Sequence, residues 1–153
     1  MKIATILGIL SIFASSLALS QTDRVPVQLR HSGDDQVGQR LAFELREVLR
    51  SANGMRLVTP SEADPRIVAN LVTLDNSSAN RGISTAASFA LSLDSIEYPV
   101  NGFFLSSFVL TCGSNRVSDC ARDIAANIDN QIEWLRREWP TLANELRQSK
   151  PRN

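Results

Sequence analysis

Residues 24–52, RVPVQLRHSGDDQVGQRLAFELREVLRSA, carry two hydrophobic periods in succession, and the change from one to the other decides the fold class. From Arg24 to Arg30 the apolar residues Val25, Val27 and Leu29 alternate with Pro26, Gln28 and Arg30, the two-residue repeat of a strand with one buried face. Pro26 has no N–H to donate, so it restricts this segment to an edge strand or to the first residues of a strand. His31-Ser32-Gly33-Asp34 is turn chemistry at a helix entry, and Asp34 and Asp35 put negative charge where the amino-terminal amides favour it. From Gln36 to Ala52 the apolar positions Val37, Leu41, Leu45, Val48, Leu49 and Ala52 fall on one stripe at about 100° per residue. This is an amphipathic helix lying on another layer, with Asn53-Gly54 read as its left-handed stop.

Beyond it, Met55–Thr59 is short and strand-like, and residues 60–65 form a proline-rich turn. Ile67–Leu74 is apolar at both alternating sets, which predicts a strand covered on both faces. Residues 76–82 read as a loop. Ile83–Leu93 then alternates again, with Ile83, Ala87, Phe89, Leu91 and Leu93 as a core face and Ser84, Ser88 and Ser92 as a small polar one. Phe103–Cys112 is a further strand. A second helix begins near Ser118 and Asp119, carries Ala121, Ile124, Ala125, Ile128, Ile132, Leu135 and Trp139 on one stripe, and is expected to end at Pro140. Leu142 and Leu146 point to a short helical or frayed tail over residues 141–153. The expected fold is therefore α+β: a mixed sheet of about five strands with two helices on one face, in the order β-α-β-β-β-β-α. The first strand-helix-strand unit implies a right-handed parallel crossover, and the later strands should be antiparallel.

Residues 1–20 have the layout of a cleavable secretory signal: Lys2, an apolar run from Ile3 to Phe13, and small residues to Ser20. The apolar run is shorter than the ~20 residues a membrane span needs, so no stable membrane anchor is expected. Cleavage after Ser20 starts the mature chain at Gln21, with a cut after Ala18 as the alternative. Residues 21–140 then form one domain, within a mature chain of roughly 130 residues. Without Lys2, 15 basic residues face 16 acidic ones, a balance that argues against nucleic acid as a partner. The two cysteines, Cys112 and Cys120, are expected to pair in a periplasmic or secreted protein. Their spacing does not fit C-x-x-C redox chemistry, and no cluster of metal ligands accompanies them.

No catalytic constellation is legible, and neither a metal nor a cofactor is expected. His31 with Ser32, Asp34 and Asp35 are neighbours in a helix entry rather than groups converging from separate elements. Asp94 with Glu97, or Asp119 with Asp123, could serve a carboxylate-dependent hydrolase, though Asp119 and Asp123 also suit the first turns of a helix. The aromatic residues are more informative. Phe43 lies about 180° from the centre of the first helix's apolar stripe, among Arg40, Glu47 and Arg50, and Trp134 is off the stripe of the second. Exposed aromatics beside arginines are favoured interface anchors. Phe43, Trp134, Arg40 and Arg50 are thus candidate contacts for another envelope or secreted protein, unless a loop or tail covers the two rings.

The run from the alternating first strand through Leu41-Ala42-Phe43-Glu44-Leu45, then Leu57-Val58-Thr59-Pro60-Ser61-Glu62-Ala63-Asp64 and Ile67-Val68-Ala69-Asn70-Leu71-Val72 resembles a group of bacterial envelope domains. The group includes the amino-terminal domain of the Tol system's periplasmic propeller protein, the periplasmic part of the curli secretion channel, and lipoprotein activators of penicillin-binding proteins. The resemblance implies a non-catalytic binding or assembly-accessory module of the envelope. It brings no lipid-anchor cysteine, propeller or pore segment, so the particular roles of those proteins do not carry over. An inhibitor or immunity-type protein blocking a hydrolase is the alternative, with residues 76–82 or Gly113–Val117 as its protruding loop.

Overall fold

The structure, a computed structural model, describes residues 24–63, 65–76, 82–95 and 100–148. The leader read over residues 1–20 and most of the 76–82 loop lie outside them. In chain order the elements are β1 (Val25–Ser32), α1 (Gln36–Ser51), β2 (Met55–Leu57), β3 (Arg66–Asp75), β4 (Ser84–Ser95), β5 (Val100–Gly113) and α2 (Val117–Gln148). They build the expected α+β fold, with one five-stranded sheet in the order β2-β1-β3-β4-β5. β1 pairs in parallel with both β2 and β3, and β3-β4-β5 is an antiparallel meander. The chain leaves β2 after three residues and enters β3, on the other side of β1, at Arg66.

One face of the sheet buries Val27, Ile67, Ala69, Leu71, Ala87, Phe89, Leu91 and Leu93 against Leu41, Leu45 and Leu49 of α1 and Ile124, Ile128 and Ile132 of α2. Both helices lie on this face because each presents an apolar stripe, and a stripe is stable only where a second layer removes it from water. Phe89 sits at the centre, fully buried, its ring 5.1 Å from that of Phe108.

Pro26 is a strand start, not an edge residue. Val25 donates to the Gly54 carbonyl and the Val27 carbonyl accepts from Val58, so alternation turns Pro26 toward β3, whose ladder begins only at Val27 paired with Ile67. The missing donor falls at an unpaired corner.

Several local readings change. His31 and Ser32 belong to β1, opposite Leu71 and Val72, because β3 supplies ladder partners that outweigh the local turn preference. The turn is confined to residues 33–35, where Gly33 has φ 142° and the Asp35 carboxylate caps α1 by accepting from the Gly38 amide at 2.6 Å. α1 ends on Ala52 in an extended conformation, and Gly54 is not among the glycines with positive φ. The β3 strand is covered on both faces only in its first half, where Ile67, Val68 and Ala69 are all buried; farther along, the face away from the helices is open, with Val72 45% exposed and Leu74 67%. Ile83 precedes β4 and is exposed. α2 continues through Pro140 to Gln148, tolerating the loss of one ladder bond.

Cys112 at the end of β5 and Cys120 in the first turn of α2 form the expected disulfide, with their Cα atoms 6.2 Å apart. Replacing both cysteines by serine is expected to lower the unfolding free energy by about 2.5 kcal/mol. Urea denaturation checks it: the midpoint should fall, and an unchanged midpoint would show that the closed loop contributes nothing.

Candidate functional site

α1 places Arg40, Phe43, Glu47 and Arg50 on one outward stripe, because residues three, four and seven apart stack along a helix. Phe43 is 58% exposed, and Arg50 is ion-paired with Glu47. Trp134 is 36% exposed on α2. The two aromatics do not share a patch. The Ser118 hydroxyl meets the Glu44 carboxylate at 3.5 Å, which sets the start of α2 level with Phe43, and Trp134 lies 16 residues farther along α2, or about 24 Å at the helical rise.

His31 acquires partners that its sequence neighbours do not provide. Its Nε2 is 3.0 Å from Oγ1 of Thr73, a β3 residue that is 1% exposed. Asp35 lies close by, with Oδ1 in the cap and Oδ2 buried without a hydrogen bond. Burial lowers the His31 pKa from its ordinary 6.5, the Asp35 charge opposes that shift and the Arg46 charge adds to it. The group resembles a catalytic set in composition only, since Thr73 is closed to solvent and lines neither cavity described below. A histidine whose folded pKa is lowered binds its proton more weakly folded than unfolded. Its contribution to stability is therefore complete above 6.5 and is lost as pH falls through that value toward the folded pKa. Thermal unfolding from pH 8 to 5 should show this loss, and His31→Gln should flatten that part of the profile.

Of the candidate carboxylates, Asp94 and Asp119 are ion-paired with arginines. Asp94 lies 3.8 Å from Arg66 and 4.0 Å from Arg30 and accepts from the Gly102 amide at 2.9 Å, while Glu97 lies outside the described residues. Gln28, nearly buried, accepts from Arg66 at 3.1 Å and Arg30 at 3.3 Å, so these groups tie β1, β3 and β4 together on the open face. Asp119 is paired with Arg116 and Arg122. Among the described residues no three His, Cys, Asp or Glu side chains gather as metal ligands, and no helix is long and apolar enough to cross a membrane. The Gly113–Val117 segment is a tight turn: Arg116 donates to the Gly113 carbonyl, Ser114 to that of Ile83, and the disulfide spans it.

Among the described residues, several exposed large apolar side chains gather on the sheet face away from the helices. Val72 and Leu74 of β3, Phe104 (63% exposed) and Val109 (76%) of β5, and the serine side of β4 all point there. β5 is the outer strand of the sheet, and residues 100–113, VNGFFLSSFVLTCG, contain no charge and no proline. In the sequence the serine side of β4 marks a candidate surface, but apolar residues on both faces of β3 suggested burial beside it. The absence of any charge over fourteen positions was the available signal.

Among the described residues, two cavities adjoin β1. One, about 370 Å³ and apolar, opens between the start of β1 and α2 and is lined by Val25, Ile67, Leu93, Ile132 and Leu135. The other, about 590 Å³, lies at the β2 side of the sheet, and its lining includes Arg24, Arg46, Arg50 and Arg56.

No protein-family model matches the chain, and no curated protein does. Among solved structures, the chain is similar to CT253, a hypothetical protein of Chlamydia trachomatis, at 11% identity and a TM-score of 0.47, over 71% of this chain and 98% of that one. It is also similar to a minor lipoprotein of Acinetobacter baumannii at 13% identity and a TM-score of 0.41, over 67% and 91%. Likenesses of this degree carry no functional argument, and neither protein is described as a Tol, curli or activator domain.

Proposed function

We propose that this chain is an exported, non-catalytic protein-binding or assembly-accessory domain of the bacterial envelope, and that it holds its partner on β5 and the adjoining open sheet face. The observation that carries this reading is the charge-free outer strand with Phe104 and Val109 exposed beside Val72 and Leu74. Sheet edges are ordinarily blunted by charge, proline or a cover, because their free N–H and C=O groups template another strand. A long edge without charge or proline, its ladder regular from Ser106 to Gly113, fits an extended, uncharged segment of another exported protein added as a sixth strand. The leader-like first twenty residues and the disulfide support export. The burial of Thr73 and the arginine partners of Asp94 and Asp119 support a non-catalytic role.

Photo-crosslinking in envelope extract tests this proposal, with a benzophenone side chain placed in turn at Val109, Phe104, Phe43 and Trp134. A discrete adduct from Val109 and Phe104, abolished by charge at the other of the two positions, is expected. Adducts from Phe43 or Trp134 alone would move the binding site to the helices and overturn the β5 assignment.

A further inference from the structure

We infer that the arginine-lined notch beside β1 is a second binding site, for an extended acidic peptide segment. The inference stands independently of β5, which is at the opposite edge of the sheet.

The notch exists because β2 is only three residues long. Its ladder with β1 covers Val25 to Val27 and ends where Val27 meets Leu57. The main chain of β1 turns its odd residues toward that edge, as the Val25 and Val27 hydrogen bonds to Gly54 and Val58 show. Leu29 has the same orientation by alternation, but the neighbouring chain has by then left through Thr59 and Pro60, and Leu29 lines the resulting cavity of about 590 Å³. A stretch of strand edge is thus open for pairing, and bounded on either side.

The walls of this notch are cationic. Arg46 and Arg50 project from the last two turns of α1, Arg56 comes from β2, and Arg24 precedes β1. Arg50 also complements the carboxyl end of the helix dipole, but that role does not account for Arg46, or for Arg24 and Arg56 converging from other elements. Among the described residues, Arg50 pairs with Glu47, and Arg24, Arg46 and Arg56 make no ion pair. The one carboxylate lining the notch, Glu62, is engaged with the Thr59 amide, which together with the Arg56 charge holds its pKa below the ordinary value. In a chain with 16 basic and 16 acidic residues, this is a local surplus of positive charge around an unpaired strand edge.

The two walls differ in a way that specifies the occupant. Arg46 and Arg50 stand on the helix side of the sheet, whereas Arg56 is paired with Pro26 and so projects toward the open side. Side chains of an added strand alternate between those sides, and consecutive acidic residues would each meet an arginine. The site therefore suits a run of adjacent Asp or Glu residues in extended conformation, bound by main-chain pairing at Leu29 and by guanidinium–carboxylate contacts.

The test uses fluorescence anisotropy on the mature chain with a fluorescein-labelled peptide, Thr-Glu-Glu-Val-Glu-Glu-Thr. Binding should weaken about tenfold or more in the double variant Arg46→Gln/Arg56→Gln, weaken with rising salt, and be unchanged in Val109→Arg. The same peptide with N-methylated central amides should bind at least about tenfold more weakly, because the methyl groups block strand pairing. Circular dichroism of the double variant should match the parent. Equal binding of the N-methylated peptide, or displacement by pyrophosphate at the peptide's own concentration, would make this a small-anion pocket and overturn the assignment. So would binding indifferent to the two arginines, or no binding at all. A crosslink at Val109 lost while this peptide still binds would sink the β5 proposal alone.

Discussion

Gly33→Ala is expected to destabilise the domain by about 4 kcal/mol, the sum of backbone strain and overpacking at one position. Gly33 has φ 142°, in the region that L side chains rarely adopt, and it stands where β1 turns into α1. A Cβ built on it would lie 2.2 Å from Oγ1 of Thr73 and 2.5 Å from the Thr73 carbonyl oxygen. A rotamer change would displace the hydroxyl were it not engaged with His31, but the carbonyl is main chain within β3 and has nowhere to go. Gly38→Ala makes the comparison informative. Its backbone is helical and alanine is the better helix former by about 1 kcal/mol, yet its Cβ would lie 2.1 Å from the same hydroxyl and 2.3 Å from Oδ2 of Asp35. Thr73 Cβ, 2.5 Å away, is also fixed to the β3 backbone, so a loss is expected here too, made smaller than at Gly33 by the helical backbone and by alanine's helix preference. Chemical denaturation of the two variants should rank Gly33→Ala as the more damaging. Equal midpoints for Gly33→Ala and the parent would show that the turn relaxes freely.

Phe89→Ala is expected to cost about 3–5 kcal/mol, from lost burial plus the cavity left behind. Phe89 is fully buried in the helix-covered face of β4 and packs against Phe108. Phe104→Ala, the same chemical change on β5, should alter stability by no more than about 0.5 kcal/mol, because that ring is 63% exposed. The contrast separates folding from binding: Phe89→Ala should fail in a melting experiment, while Phe104→Ala should melt normally and fail in crosslinking. A large loss of stability in Phe104→Ala would mean that the open face is covered from within the chain.

The elements were legible wherever one period ran unbroken. The stripe of α1, the alternation of β1 and β4 and the stripe of α2 are observed close to the expected ranges, since each places a continuous apolar face that only one kind of element can bury. Errors gathered where a residue's role depends on a chain distant in sequence. His31 looked like a turn residue until β3 paired with it, and Leu74 looked buried because apolar residues on both faces of a strand cannot reveal which face receives a layer. The exposed positions of Phe43 and Trp134 follow from helical phase alone, but whether they form one patch depends on how the helices are set against each other, and the alignment of Ser118 with Glu44 keeps them apart.

By itself the sequence determined the α+β class, the order of strands and helices, the pairing of Cys112 with Cys120 and most residues of the helix-covered core, Ile83 being the exception. All of these follow from local periodicity, spacing and the tendency of apolar surface to leave water. Only the tertiary structure decided that β1 is flanked by two parallel neighbours, that Thr73 and Asp35 surround His31, that one sheet face stays open beside an uncharged edge, and that arginines from three segments surround a notch. Those features arise from contacts between residues far apart in the chain, and local preferences place no constraint on which distant surfaces meet.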